Sequence, residues 1–296
     1  MIRATHSVEG VGSFLRRKLP VLPLALALLP IPAAAQDAQR VISLGGSVTE
    51  IAVALGAEDR LIARDTTSNY PASIEALPDV GYIRALSPEN VLALAPDLII
   101  AESDAGPPEA VEVLKSAGIP FLLMPEAHGA DGIPAKIIGV GAALEKHAEA
   151  KALAETVSMG LDEAKVRAAA VTAPKRVLFI LSLTGGRVMA GGEGSSAEGI
   201  IRLAGGSNAG TGFQGYKPMT DEAVIAAAPD VILMMEREGD LAIANAEVLA
   251  HPALAETPAG KSGAIVRMDG MLLLGFGPRT PEAAATLYEA FYGNGG

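Results

Sequence analysis

The 296 residues carry 34 acidic against 23 basic side chains, a formal net charge of −11. That balance excludes a nucleic-acid partner, which requires clustered Lys and Arg to displace counterions. Half of the residues are hydrophobic but only 4% are aromatic and none is cysteine. The cores must therefore be built from Ala, Val, Ile and Leu, as suits parallel strands covered by helices, and disulfides, thiolate metal sites and cysteine nucleophiles are excluded.

The chain opens with Arg16-Arg17-Lys18, an apolar run from Leu19 to Ile31, and the small residues Ala33-Ala34-Ala35. This is the layout of a cleaved export signal over residues 1–35, with the mature chain starting at Gln36. The run is too short to span roughly 30 Å of hydrocarbon and is interrupted by Pro20, Pro23 and Pro30. The periplasm is the expected destination.

Residues 36–130 read as an α/β lobe. Arg40 to Leu44 is a short apolar strand stopping at Gly45-Gly46, and Ser47 to Leu55 is a helix with Ser47 as its cap. Leu61 to Arg64 and Leu98 to Ala101 are further strands, with a helix from Pro88 to Leu94 between them. A helix from Pro108 to Ala117 precedes the strand Ile119 to Met124. Strands alternating with helices imply a doubly wound, mostly parallel sheet of Rossmann-like type. From 131 to 174 the chain is Ala-rich and charged, with no strand-like run, and is expected to form a long linker helix. A second α/β lobe, 175–296, begins at Arg176 to Leu181 and continues through Val231 to Met235 and Ala264 to Met268.

An internal repeat supports two lobes. Ser87 to Ile100 and Thr220 to Leu233 align without a gap: a polar cap, a short helix with an early Glu, Pro-Asp, then a buried strand. Common Ala-rich composition is the other source of such similarity.

Enzyme signatures are thin. Gly45-Gly46-Ser47 and Gly205-Gly206-Ser207 make neither a phosphate-binding loop nor a nucleophile elbow. His6, His128, His147 and His251 stand singly, without metal-ligand spacing. The polar stretch Arg64-Asp65-Thr66-Thr67-Ser68-Asn69-Tyr70-Pro71 says more, because it follows a strand, where a parallel sheet opens onto a ligand crevice. Tyr70 there can ligate ferric iron as a phenolate, a known haem ligation mode. A tyrosine packed on the loop with its hydroxyl satisfied locally fits the same residues.

The segments Val41 to Ile51, Arg64 to Pro71, Gly81 to Ser87, Leu203 to Ala209, Gly215 to Pro218 and Leu274 to Thr280 resemble the haem-specific periplasmic binding proteins of bacterial ABC importers. The Asp-Thr-Thr-Ser-x-Tyr-Pro and Gly-Phe-Gly-Pro-Arg-Thr runs are the more specific parts. The strand–glycine–helix opening is shared with cobalamin and siderophore binders of the same fold.

This resemblance implies that Tyr70 is the axial ligand of haem iron. It implies that Arg237, in the second lobe, faces the tyrosine and favours its phenolate, as a nearby cation does; a solvated pairing with Glu236 or Glu238 is the alternative. Arg64, Arg84 and Lys217 become candidates for the haem propionates. No histidine stands in the glycine-rich stretch from Gly191 to Ser196, where some members place a second axial ligand, so a single tyrosine ligand is expected. Glu89 and Glu222, matched in the repeat, are the acidic residues expected to dock the two lobes onto a membrane permease. Either also stabilises its helix by about 0.3–1 kcal/mol through the dipole. The function implied is non-enzymatic: a monomeric protein whose apolar cleft of Met, Leu and Phe captures haem for delivery to an ABC permease. A ferric siderophore or cobalamin in the same fold, and less strongly a haem-processing enzyme, are the alternatives.

Overall fold

A computed structural model describes residues 38–125, 129–237 and 242–293, all belonging to one compact unit. The predicted signal segment, His6 and His128 lie outside the described residues. In the first lobe β1 (Val41–Leu44) runs into α1 (Gly46–Ala54), followed by β2 (Leu61–Arg64), α2 (Pro88–Leu92), β3 (Leu98–Glu102), α3 (Pro108–Ser116) and β4 (Phe121–Met124). The four strands pair in parallel in the order β2-β1-β3-β4. Neighbours in sequence are thus joined by crossovers, and the carboxyl ends of the strands share one edge.

Residues 131–174, expected as one linker helix, hold two: α4 (Ile133–Ala143) and α5 (His147–Ala169). The break falls at Glu145, whose left-handed φ of 56° ends the first helix, and the Lys146 N–H closes onto the Gly141 carbonyl at 2.8 Å. Among the described residues no helix is long and apolar enough to cross a membrane.

The second lobe contains β5 (Arg176–Ser182), β6 (Val188–Gly191), α6 (Ser196–Leu203), β7 (Ser207–Asn208), β8 (Tyr216–Met219), α7 (Asp221–Ala227) and β9 (Val231–Glu236). It continues through α8 (Asn245–Ala250), α9 (Pro252–Ala255), α10 (Pro258–Ser262), β10 (Ile265–Asp269), α11 (Gly270–Leu274) and α12 (Thr280–Tyr292). The strand order is β10-β9-β5-β6-β8, with β7 pairing the start of β5. The strands β10, β9 and β5 run parallel, whereas β6 and β8 add an antiparallel edge. That edge was not predicted: its strands are four residues long, bordered by glycine, and β8 contains Pro218.

Side chains alternate between two cores along each central strand. Leu98 and Ile100 of β3, Val177 and Phe179 of β5, and Val231 and Leu233 of β9 all enter one core. That core also takes Ile137 and Val140 of α4, Val157 and Leu161 of α5, and Leu287 and Phe291 of α12. The intervening residues Ile99 and Ala101 face a core private to the first lobe, and Leu178, Ile180, Ile232 and Met234 face one private to the second. Each fully buried Leu, Ile or Phe contributes about 1.5–3 kcal/mol. The shared core therefore joins the lobes by the same force that forms each of them.

The sequence repeat reappears as a repeated set of bonds. Ser87 and Thr220 cap α2 and α7 by accepting from the N–H groups of Asn90 and Ala223. Ala95 and Ala228, each preceding the Pro-Asp pair, are left-handed at φ 45° and 40°. The arginine at the start of each first strand braces that turn: Arg40 donates to the Ala95 and Leu94 carbonyls, and Arg176 donates twice to the Ala227 carbonyl. The Asp97 carboxylate accepts the N–H groups of Gln39 and Arg40 at 2.9 Å each, and Asp230 accepts that of Arg176 at 2.8 Å. Replacing Asp97 or Asp230 with Ala is expected to cost about 1–2 kcal/mol in urea unfolding, more at Asp97, which holds two donors. Unchanged midpoints for both variants would contradict this.

Candidate binding site

A cavity of about 700 Å³ lies between the lobes at the carboxyl ends of β3, β9 and β10. The first lobe lines it with Thr66, Thr67, Asn69, Tyr82, Ile83, Arg84 and Glu102. The second contributes Leu181, Ser195, Ser196, Tyr216, Met235, Glu236, Arg237, Asp269, Met271 and Leu274, among others. Met and Leu side chains supply the apolar surface, as expected, but no Phe of the described residues lines the cavity.

One buried carboxylate organises the loop after β2. Asp65, fully buried, accepts at Oδ1 from the Gly45 N–H (2.9 Å) and the Ser68 hydroxyl (2.7 Å). Its Oδ2 accepts from the Thr67 N–H (3.0 Å) and the Thr67 hydroxyl (2.7 Å). Four donors satisfy the carboxylate without a cation, so the Asp-Thr-Thr-Ser run is a tied loop. The turn from β1 into α1 packs under it at Gly46, where a Cβ would lie 2.7 Å from the Thr67 carbonyl oxygen and 2.4 Å from the Met271 methyl.

Ser47 does not cap α1: the N-cap is Gly45, which has no side chain to do so. Its hydroxyl instead donates to Glu102 Oε1 at 2.6 Å and accepts from Lys136 Nζ at 2.7 Å. Lys136, on α4 and 3% exposed, also donates to the carbonyls of Phe276 (3.3 Å) and Gly275 (3.5 Å). Its three N–H donors are thereby used, and they join α4, α1 and the segment after α11. Burial pushes the Lys136 ammonium below the usual lysine value, opposed by Glu102, Asp104 and Glu50.

The sequence-predicted residues are distributed unevenly. Arg84 and Arg237 line the cavity from opposite lobes. Arg84 is held by the Tyr82 hydroxyl (2.5 Å) and by the Asp104 carboxylate, and its guanidinium carbon lies 5.6 Å from the Tyr82 ring centroid. Although burial works against it, those partners raise its pKa above the usual arginine value. Tyr216, opposite, is pushed up by burial and remains a neutral phenol. Arg64 does not line the cavity; its guanidinium donates to Asp79 at 2.9 Å and to the Asp65 carbonyl. Lys217, exposed on β8, lies outside the lining too. Glu89 and Glu222 are exposed on α2 and α7.

Tyr70 is not itself among the lining residues; it stands 45% exposed at the end of the tied loop, next in sequence to Asn69, which does line the cavity. The arginine against it is not Arg237. The Arg279 guanidinium carbon stands 3.5 Å from the Tyr70 ring centroid, and the same side chain donates to both oxygens of Glu50. Sequence reasoning singled out the Gly-Phe-Gly-Pro-Arg-Thr run but gave Arg279 no role, because Arg279 lies 209 residues after Tyr70 and only the fold brings them together.

The family described as Periplasmic binding protein matches residues 41–272, and the chain belongs to it. It is 41% identical to the solved structure "Periplasmic heme-binding protein BhuT in complex with two hemes", covering 85% of this chain and 97% of that one with a TM-score of 0.80. It is 35% identical to the periplasmic heme-binding protein RhuT from Roseiflexus sp. RS-1 in apo form, covering 86% and 98%, with a TM-score of 0.82. A 105-residue stretch, 36% of this chain and 37% of the relative, is 40% identical to the vitamin B12-binding protein of Yersinia pestis.

Lys136 gives the fold a pH signature. Between its depressed folded value and the ordinary 10.5, the unfolded chain holds a proton that the folded chain has released, so stability rises with pH across that window. The stability of the wild type relative to Lys136→Met, from denaturant titrations at stepped pH, is expected to grow as pH climbs toward 10.5. A difference that is flat or shrinks over that range would contradict the depressed value.

Proposed function

We propose that this protein is exported to the periplasm, captures haem in the inter-lobe cavity and delivers it to an ABC import permease without catalysing a reaction. The observation that carries this reading is the convergence on one cavity of the tied loop bearing Tyr70, apolar Met and Leu surface, and one arginine from each lobe. The likeness to solved haem-binding structures over most of the chain supports it.

Tyr70 is the iron ligand in this reading. Its loop stands at the carboxyl edge of the first sheet, and a phenolate is a hard donor suited to ferric iron. Arg84 and Arg237 answer the two propionates, because guanidinium groups bind carboxylates with two parallel hydrogen bonds. Arg64, taken by Asp79, and Lys217, off the lining, contribute positive potential rather than contacts. Cobalamin is the second reading, favoured by the partial match to a vitamin B12-binding protein.

Glu89 and Glu222 are the docking charges of the two lobes. They occupy matching places in the repeat, are exposed, and belong to helices whose caps fix their direction. Backbone hydrogen bonding at its own residue, aided by the Thr220 hydroxyl, holds the Glu222 carboxyl below the usual glutamate value.

Ferric haem bound to the wild type is expected to show a tyrosinate-to-iron charge-transfer band that Tyr70→Ala abolishes; an unchanged spectrum removes Tyr70 from the iron. Charge reversal at Glu89 and Glu222 together is expected to abolish haem uptake by cells while leaving hemin binding as in the wild type, with only the small loss of thermal stability that follows from reversing an acidic residue at two helix N-termini. Normal uptake by that variant would exclude docking through these residues.

A further inference from the structure

We infer that Arg279 is a positioning residue for Tyr70, and that the Gly-Phe-Gly-Pro-Arg-Thr run exists to carry it there; this rests on the assignment of Tyr70 to haem iron. The run links α11, which lines the cavity, to α12, which packs into the core shared by the lobes. It is fixed on the side of the first lobe at successive points. The Gly275 and Phe276 carbonyls accept from Lys136, and Phe276 is fully buried in a left-handed conformation at φ 48°. Gly277 lies flat on α1, where a Cβ would sit 3.3 Å from the Ser47 Cβ and 3.4 Å from Glu50 Oε2. The chain then presents Arg279 to Glu50.

The division of labour within Arg279 follows from its shape. The edge of the guanidinium fork is used by Glu50, which is 8% exposed and takes two donors, one on each oxygen. A planar group held by its edge has its face left free, and that face lies on the Tyr70 ring. Because the Glu50 carboxylate balances the guanidinium charge, the contact orients the phenol more than it charges it. The Tyr70 hydroxyl makes no hydrogen bond among the described residues, so the stack is the directional contact that sets the ring. A half-exposed tyrosine on a loop would otherwise have to be ordered at the moment of binding, at a cost in affinity. Arg237 lines the cavity itself.

The test uses the full mature chain in hemin titrations followed by absorption and by the electron paramagnetic resonance of the high-spin ferric signal. Five proteins are compared: wild type, Arg279→Gln, Arg279→Lys, Tyr70→Phe, and the Tyr70→Phe/Arg279→Lys double variant. Arg279→Lys keeps a cation against Glu50, and with it the fold, but lacks the flat face. Both single Arg279 variants are expected to bind hemin roughly 2- to 30-fold more weakly, with a heterogeneous ferric signal, as befits loss of one cation–π contact. The double variant is expected to bind no more weakly than Tyr70→Phe, because Arg279 acts through the phenol. Wild-type binding by Arg279→Lys, or effects that multiply in the double variant, would overturn the inference. Wild-type binding and spectrum in Tyr70→Phe would instead overturn the iron assignment itself, and that outcome is read from one variant alone.

Discussion

The ion pair between Glu50 and Arg279 fixes how the two halves of this molecule meet. Glu50 belongs to α1 of the first lobe and Arg279 to the segment leading into α12, and the pair is largely hidden from solvent. Burial raises the Glu50 pKa despite the two hydrogen bonds and the charge of Arg279, so desolvation is the larger effect there. A buried pair of this kind adds little net stability, but removing one partner costs about 3–5 kcal/mol because the other is left uncompensated. Its contribution is to geometry. Together with the three bonds of Lys136, it sets the wall formed by α11 against the wall formed by the loop after β2.

A cavity built this way is preformed. Its walls come from two sheets that share one hydrophobic core through α4, α5 and α12, so opening the lobes widely would expose that core. This suits reversible capture of a rigid, flat ligand, because little ordering is required on binding. Glu89 and Glu222, one on each lobe, stand exposed on helices of that rigid frame.

Much of the fold was legible because its signals are local. Every parallel strand except the two-residue β7 coincides with a short apolar run ended by Gly, Pro or a polar turn, and the repeat located α2, β3, α7 and β9 with their caps. The antiparallel strands β6 and β8 were not legible, since four residues beside glycine carry no period to read. The break at Glu145 was missed because a left-handed glutamate has no sequence mark. At the site, the polar loop was singled out by its residue types, and Arg84 and Arg237, named from the family resemblance, line the cavity, although Arg237 does not stand against Tyr70. Arg64 and Lys217 were drawn in by charge alone, although Asp79 takes the first and strand direction turns the second away from the lining. Lys136 and Arg279 escaped notice because their meaning depends on contacts across 89 and 229 residues of chain.

Parallel calorimetric and absorption titrations of the purified mature chain with hemin and with cobalamin test the central claim most directly. If haem is the cargo, hemin binds to saturation with a shifted Soret band while cobalamin gives no heat of binding at the same concentrations. Saturable cobalamin binding with no change in the hemin spectrum would contradict it.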